Sequence, residues 1–445
     1  MDMIVSLYPW LALRLNIIYR IFLDIILFCI LFFSPLIKIQ YFYLNIYNSL
    51  FLFIWILSSY VIGRYHNTST SMIDAVKEVF ISTVNIIVFY ILSLVFYLKL
   101  YNISDFSLIN VQIFFFCKYA ISSLIIQYFF KRFFIKKFKP FKIWYVLGNN
   151  DFYRELDDFT SKNNIKLNFI ETDVLQNLDF LIKKNIIIGN LNDHSYEIQK
   201  KIMNLNFKGS NVLSIINWCE IALQRIPLIY LKSGEILNYF SKINRDLSLQ
   251  VRLKRIGDIF LSIFLILLTL PIVIFFGLII YLEDSGPILY SQNRVGKNGL
   301  TFRIFKLRTM HVNAEKKGAQ WSKKGDNRVT KVGKFLRSSR VDELPQLFSV
   351  LLGDMSLIGP RPERPEIDEL LKEKIPYYEL KYLVKPGLSG WAQVNYPYGS
   401  SIYDSEMKLT YDFFYIRNFS FWLDIVIFFK TIRLVFKREG SIPNT

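Results

Sequence analysis

IGDIFLSIFLILLTLPIVIFFGLIIYL, Ile256–Leu282, is apolar from end to end, yet Pro271 stands near its middle. A membrane-crossing helix needs about 20 apolar residues to cover a hydrocarbon core of ~30 Å, and this segment has the length. A proline inside a helix removes a backbone hydrogen bond and favours a break or kink. Arg252, Lys254 and Arg255 precede the segment, and Arg294, Lys297, Arg303, Lys306 and Arg308 follow it. Short basic segments resist translocation, so a full crossing would put the second basic block on the wrong side. A helix that enters, breaks at Pro271 and turns back keeps both blocks on one face. An ordinary span is the competing reading.

Composition agrees with a membrane protein. Of 445 residues, 52% are hydrophobic and 17% aromatic, too apolar for an ordinary soluble chain. Net charge is +18, which suits anionic headgroups, a phosphorylated substrate or nucleic acid. The apolar segments favour the membrane, and no nucleic-acid partner is expected. Cys29, Cys117 and Cys219 form no C-x-x-C pair, and His66, His194 and His311 stand apart. That argues against a disulfide framework and against a zinc site.

Upstream lie four more apolar segments, about 15–37, 42–62, 79–98 and 111–130. The first is too long for a signal-peptide core and lacks a small-residue cleavage site, so it reads as a retained anchor. Arg14 and Arg20 flank the start and KRFFIKKFKPFK, Lys131–Lys142, the end, whereas YNISDFSLIN between the third and fourth segments has no Lys or Arg. Residues 1–135 therefore read as a four-helix transmembrane bundle with both ends in the cytoplasm.

Between bundle and Ile256, strand-like runs (KIWYVL, IKLNFI, NIII, NVLSII) alternate with polar helical stretches. That alternation predicts a parallel, Rossmann-like α/β domain over 141–232, with a connector at 233–250. Its first turn offers only Gly148 where a dinucleotide fingerprint wants three glycines. A scaffold or sensor that does not bind NAD is expected.

Beyond the helix come three blocks: GPILYSQNRVGKNGLTFRIFKLRTM (Gly286–Met310), DNRVTKVGKFLRSSRVDELPQLFSVLLGDMSLIGPRPERPE (Asp326–Glu366) and VKPGLSGWAQVNY (Val384–Tyr396). Taken alone, Asp342-Glu343 reads as a helix start, with Ser339 forming a capping box to the acids of the first turn. Together the blocks resemble the monotopic phosphoglycosyl transferases, the bacterial polyprenyl-phosphate sugar-1-phosphate transferases, over about Arg252–Ile432. The large forms of that family share the layout of a membrane bundle and a Rossmann-like region.

The resemblance implies transfer of a sugar 1-phosphate from a UDP-sugar to undecaprenyl phosphate with release of UMP. This would initiate exopolysaccharide, capsule or O-antigen synthesis at the cytoplasmic face of a bacterial inner membrane. It makes Asp342 the nucleophile and Glu343 a ligand of Mg²⁺. Arg337 and Arg361 become phosphate-contacting residues, with Arg294, Lys306 and Arg308 as further candidates. Arg361 lies between Pro360 and Pro362, whose fixed φ holds the turn rigid, and Arg supplies a planar fork for phosphate oxygens.

There are departures from the family. Leu270-Pro271 replaces a Ser-Pro break, with Thr269 the nearest hydroxyl, and Arg340 replaces a small polar residue. Trp391 reads as a packing or interface residue. FSFWLDIVIFFKTIRLVFKRE, Phe419–Glu439, reads as an interfacial amphipathic helix that meets membrane lipids. A homodimer is plausible on the bundle and sheet surfaces.

Competing classes lack their marks: there is no D-x-D, and VGKNG and VGKFL lack the hydroxyl that a Walker loop needs after lysine. An inactive membrane scaffold is the non-enzyme alternative. The sugar is not legible; a hexose such as glucose or galactose is the default and an N-acetylated deoxysugar the competitor.

Overall fold

The computed structural model describes residues 14–32, 42–62, 64–65, 83–88, 91, 106–133, 143–147, 166–170, 179–189, 195–231, 247–312, 314, 326–397, 399 and 401–437. Most of the third apolar segment, the basic run after residue 133, Gly148, residues 101–105 of the outer turn and the connector up to residue 246 lie outside them. The chain forms two compact units, divided at Lys142/Ile143 apart from a few N-terminal residues.

In the first unit, helices α1 (Leu15–Phe32), α2 (Phe42–Ile62) and α3 (Phe106–Phe133) are described. Their shared core is aromatic: Phe28, Phe51, Trp55, Phe115, Phe116 and Tyr119 pack together, with Phe51 and Phe116 stacked at 4.0 Å. Polar groups face inward as well. Buried Asp24 accepts hydrogen bonds from Tyr65 Oη (2.6 Å), Ser123 Oγ (2.7 Å) and Gln127 Nε2 (3.0 Å). Phe22, Ile30, Phe53, Phe114 and Ile121 point outward and are exposed. Apolar outside and polar inside inverts the arrangement of a water-soluble bundle.

The second unit opens with a parallel sheet of β1 (Ile143–Leu147), β2 (Lys166–Ile170), β3 (Asn185–Ile188) and β4 (Asn211–Ser214), in the order β2-β1-β3-β4. These are the four strands the alternation predicts. Leu147, Ile186 and Ile188 are buried in the sheet, and helix α4 (Tyr196–Phe207) covers them with Ile202 and Leu205, three residues apart on one face. After β4 the chain takes one α-turn and then a π-turn, Cys219–Leu223, which ends at Gln224 in the left-handed region. This exit segment packs onto the C-terminal part of the unit. Ile226 N donates to Thr410 O at 2.9 Å, while Glu220 accepts from Arg417 Nε (3.0 Å) and Asn418 Nδ2 (2.6 Å).

Helix α5, Leu247–Asp284, keeps helical geometry across Pro271. It is the one helix among the described residues long and apolar enough to cross a membrane by length and composition. Pro271 cannot donate to the Leu267 carbonyl. Two residues earlier, Thr269 Oγ1 donates to Leu265 O at 2.7 Å, a back-bond that often bends helices. Both ends of α5 are bound to the same unit. Lys254 pairs with Asp424 (2.7 Å), Arg255 caps the carbonyls of Val350 (2.6 Å) and Leu351 (2.8 Å), and Asp258 accepts from Leu357 N. At the other end Ile280 joins Leu307 and Leu336 in a buried cluster. Between them Phe260, Phe264, Leu267, Leu268 and Phe275 are exposed.

Hairpin β5 (Leu289–Val295) and β6 (Thr301–Leu307), helix α6 (Lys331–Ser339), a 3₁₀ turn Val341–Gln346 and helix α7 (Leu347–Leu352) follow. Then come the short parallel pair β7 (Ser356–Ile358) and β8 (Gly387–Ser389), separated by α8 (Pro365–Lys374), and finally α9 (Trp391–Asn395), α10 (Ile402–Arg417) and α11 (Phe421–Lys437). Helix α11 buries Leu423 and Ile427 and exposes Trp422 and Phe436.

Candidate active site

The acidic pair is placed by the way α6 stops. Thr330 caps its start, the hydroxyl accepting from Gly333 N at 2.9 Å. Gly333 allows the helix to lie on the end of β6, where a Cβ would come within 2.1 Å of the Thr309 carbonyl oxygen. One turn later Arg337 Nε donates to Thr309 Oγ1 at 2.9 Å. The helix ends at Arg340, whose φ of 55° lies in the left-handed region, a conformation that costs a non-glycine residue ~1–2 kcal/mol.

That reversal corrects the expected capping box. Ser339 Oγ donates back to the carbonyls of Phe335 (2.9 Å) and Leu336 (3.2 Å), so it closes the preceding helix and does not cap the next. Asp342 and Glu343 then sit on a 3₁₀ turn, where successive side chains diverge by ~120°. One acid can face a reacting phosphorus while the other meets the surrounding cations.

Those cations come from three separate pieces of chain. On the hairpin, Tyr290 pairs with Lys306, Gln292 with Ile304 and Arg294 with Phe302, so Tyr290, Gln292, Arg294 and Lys306 share one face. Lys306 Nζ lies 3.2 Å from Glu343 Oε1. Arg294 donates to Pro362 O (2.9 Å) and Gln292 Oε1 (2.6 Å) and lies 3.6 Å from Glu363. Arg361 Nη2 reaches Glu343 Oε1 at 2.8 Å, and Arg340 Nη1 reaches Oε2 at 3.5 Å.

Arg361 is aimed by backbone packing. Gly359 N donates to Ser389 O (2.8 Å) and Gly387 N to Pro360 O (2.9 Å), tying the Gly-Pro-Arg-Pro turn to β8. A Cβ on Gly359 would stand 2.4 Å from the Lys385 carbonyl oxygen. The Lys385–Gly390 motif thus serves as the seat of the Arg361 turn. Arg308 has a different place. Its guanidinium pairs with Asp284 and the Ile280 carbonyl, fastening the end of α5 to β6. Pro271 lies in the apolar helix, away from these groups in sequence.

Burial separates the two acids. Asp342 is pushed up to about 6 by burial, with the Glu343 charge adding to the effect and Lys306, Arg337 and Arg361 opposing it. Burial also pushes Glu343 up, but Arg361, Lys306 and Arg340 outweigh it and hold that carboxylate well below its usual range. Burial lowers Lys306, partly offset by Glu343. Two adjacent carboxyls are thus driven apart in proton affinity, Glu343 ionised well below the range in which Asp342 takes up its proton.

Asp342, Glu343, Arg294, Lys306, Arg308, Arg337 and Arg361 all line one cavity of about 660 Å³. Its lining also includes Pro287, Met310 and Val312 and, from the C-terminal part, Gln393, Tyr396, Lys408 and Asp412. Sequence reasoning assigned no role to that last group. Its available signal was on α10, where Ser405, Lys408, Leu409 and Asp412 recur at helical spacing within a strongly aromatic run. Trp391 is fully buried, stacked on Phe414 at 5.5 Å, and its Nε1 donates to Gln224 O at 2.9 Å.

A buried acid pair ringed by arginine and lysine suits the handling of a phosphate ester. Residues 249–438 match the family described as bacterial sugar transferase, and the chain belongs to it. It is 48% identical over 189 residues to an Aeromonas hydrophila UDP-N-acetylgalactosamine-undecaprenyl-phosphate N-acetylgalactosaminephosphotransferase, covering 42% of this chain and 45% of that one. A putative undecaprenyl-phosphate N-acetylgalactosaminyl 1-phosphate transferase of Bacillus subtilis is 51% identical over 124 residues, 28% of this chain and 69% of its own length. An Escherichia coli UDP-glucose:undecaprenyl-phosphate glucose-1-phosphate transferase is 40% identical over 182 residues, 40% of this chain and 39% of its own length. The chain thus spans less than half of the Aeromonas and E. coli relatives.

Proposed function

We propose that the protein moves a sugar 1-phosphate from a UDP-sugar to undecaprenyl phosphate, releasing UMP, at the start of surface-polysaccharide assembly. The observation that carries this reading is the buried Asp342 beside Glu343, with Lys306, Arg340 and Arg361 converging on the pair. A carboxylate oxygen of Asp342 attacks the phosphorus that bears the sugar. The bond from that phosphorus to the bridging oxygen breaks, and UMP leaves with the electron pair. An oxygen of undecaprenyl phosphate then attacks the same phosphorus, the bond to Asp342 breaks, and the carboxylate is restored. Substrates and products carry equal charge, so no net proton is needed. Two displacements let the two phosphates use one pocket in turn.

Mg²⁺ usually takes one or two carboxylates and completes its shell with substrate phosphates and water. Asp342 and Glu343 fit an ion shared with a diphosphate. Among the described residues no group of three or more His, Cys, Asp or Glu forms a dedicated cage. Glu343 would hold the ion, which would neutralise charge on the diphosphate. Lys306, Arg361 and Arg340, now spent on Glu343, supply the donors that orient the phosphates.

The same reading puts the site at the cytoplasmic face of the inner membrane. The outward apolar surface of α1–α3 supports a membrane bundle. The attachment of both ends of α5 to one unit, with an exposed apolar middle, supports a helix that enters and returns. The names of the two relatives at 48% and 51% identity put UDP-N-acetylgalactosamine first among donors to try, ahead of UDP-glucose and UDP-galactose.

The test is UMP release by the purified protein with Mg²⁺ and undecaprenyl phosphate against a panel of UDP-sugars. Turnover with one donor, and radiolabelled sugar phosphate retained on protein when the lipid is withheld, is the expected result. Turnover undiminished in Asp342→Asn overturns the nucleophile assignment.

A further inference from the structure

We propose that Gln393 and Asp412, on α9 and α10, form the subsite that reads the hydrogen-bond donors of the transferred sugar. This rests on the two-step reaction proposed above. Both side chains line the cavity that also holds Asp342 and Glu343. Asp412 is 7% exposed, and its Oδ1 has no hydrogen-bond partner within the protein. Gln393 spends its Nε2 on the Leu388 carbonyl at 3.3 Å and leaves Oε1 equally without one. Buried polar atoms are almost always satisfied, so two orphaned acceptors on one cavity wall call for a ligand that brings donors. Sugar hydroxyls or an acetamido N–H have that chemistry.

Their neighbours are bonded elsewhere. Tyr396 Oη donates to Asp404 Oδ1 at 3.0 Å, and Lys408 Nζ donates to Gly399 O at 2.7 Å. Lys381 donates to Tyr378 and lies 3.6 Å from Asp368.

The sugar alone stays bound through both displacements, whereas UMP must leave and the lipid phosphate must take its place, so the groups that read the sugar can stay buried and fixed. A site built to bond a substrate hydroxyl discriminates strongly, because the wrong substrate leaves buried groups unpaired.

The experiment uses the full-length protein with Mg²⁺ and undecaprenyl phosphate. Wild-type turnover with its preferred donor tests the reaction itself, independently of this subsite. Asp412→Ala and Gln393→Leu are then compared with wild type by kcat/KM for that donor and for its UDP-sugar epimers. Inhibition by UMP and Tm are measured alongside. A fall of roughly 10²-fold for the preferred donor, a smaller fall for the epimers and unchanged UMP inhibition are expected. Gln393→Glu, which keeps an acceptor, should recover part of the loss. Equal losses for every donor, weakened UMP inhibition, or a lower Tm with selectivity intact would each overturn the assignment.

Discussion

The parallel sheet of residues 143–231 and the transferase region of 247–437 are both α/β, and they spend regular structure differently. The sheet is a continuous ladder of four strands whose aliphatic runs cover one another. Among its described residues the transferase region has only two-stranded pieces, and its acids and cations sit on a 3₁₀ turn, a proline-flanked turn and one hairpin face. Regular ladders make a durable frame. Convergence of charge on one point is achieved here by reversals and by close backbone contact.

If that contrast holds, substitutions in the two regions should differ sharply in kind. Asp342→Asn should cut UMP release by ~10³-fold or more while Tm stays level or rises, because burial disfavours the charged form it removes. Calorimetry beside the activity assay checks both. Gly359→Ala should reduce kcat by roughly 10²-fold through misplacement of Arg361, since its Cβ would meet the Lys385 carbonyl oxygen at 2.4 Å. Lower Tm should accompany it.

A pH profile probes the same acid. Asp342, with its pKa raised to about 6 in the free protein, must be ionised to attack, so kcat/KM should fall as pH drops through that value. An ordinary aspartate titrates near 3.9. The sign for stability is opposite. Between those two values the folded state holds the proton more firmly, so this group's contribution to stability declines as pH rises through the window. In Asp342→Asn that component should vanish from the Tm-versus-pH curve.

Effects at the junction and on the sheet should be smaller. Glu220→Ala removes the acceptor shared by Arg417 Nε and Asn418 Nδ2 and should cost ~1–3 kcal/mol in a denaturant titration. Asn211→Ala, at an exposed side-chain contact with Asn185, should stay within ~0.5 kcal/mol and leave turnover unchanged. A large kinetic effect from Asn211 would break the division between frame and site.

Legibility followed the same line. The four strands were readable as short, largely apolar runs alternating with polar helical stretches, and Asp342, Glu343, Arg337 and Arg361 stood out as candidates because they lie in long motif blocks. The capping box at Ser339 was misread, since nothing in SSRVDE announces that Arg340 takes a left-handed conformation. Arg308 and Arg294 look alike in sequence, yet one is committed to Asp284 and the other flanks Glu363. Pairing of that sort depends on which distant element folds alongside. Asp412 and Gln393 were missed for a related reason. Their significance lies in what they fail to touch, which a sequence cannot display.

Trp391, next in the chain to the cavity-lining Ala392 and Gln393, donates its indole N–H to the carbonyl of Gln224, which belongs to the sheet's exit segment. The two parts are therefore not interchangeable modules at the boundary where composition changes. A chimera joined anywhere in 233–250 would inherit a foreign partner for that indole, and for Glu220's partners Arg417 and Asn418. One joined ahead of Cys219 would carry the whole contact across intact. For anyone recombining these proteins to alter the sugar they attach, the workable seam lies inside the sheet domain's own tail.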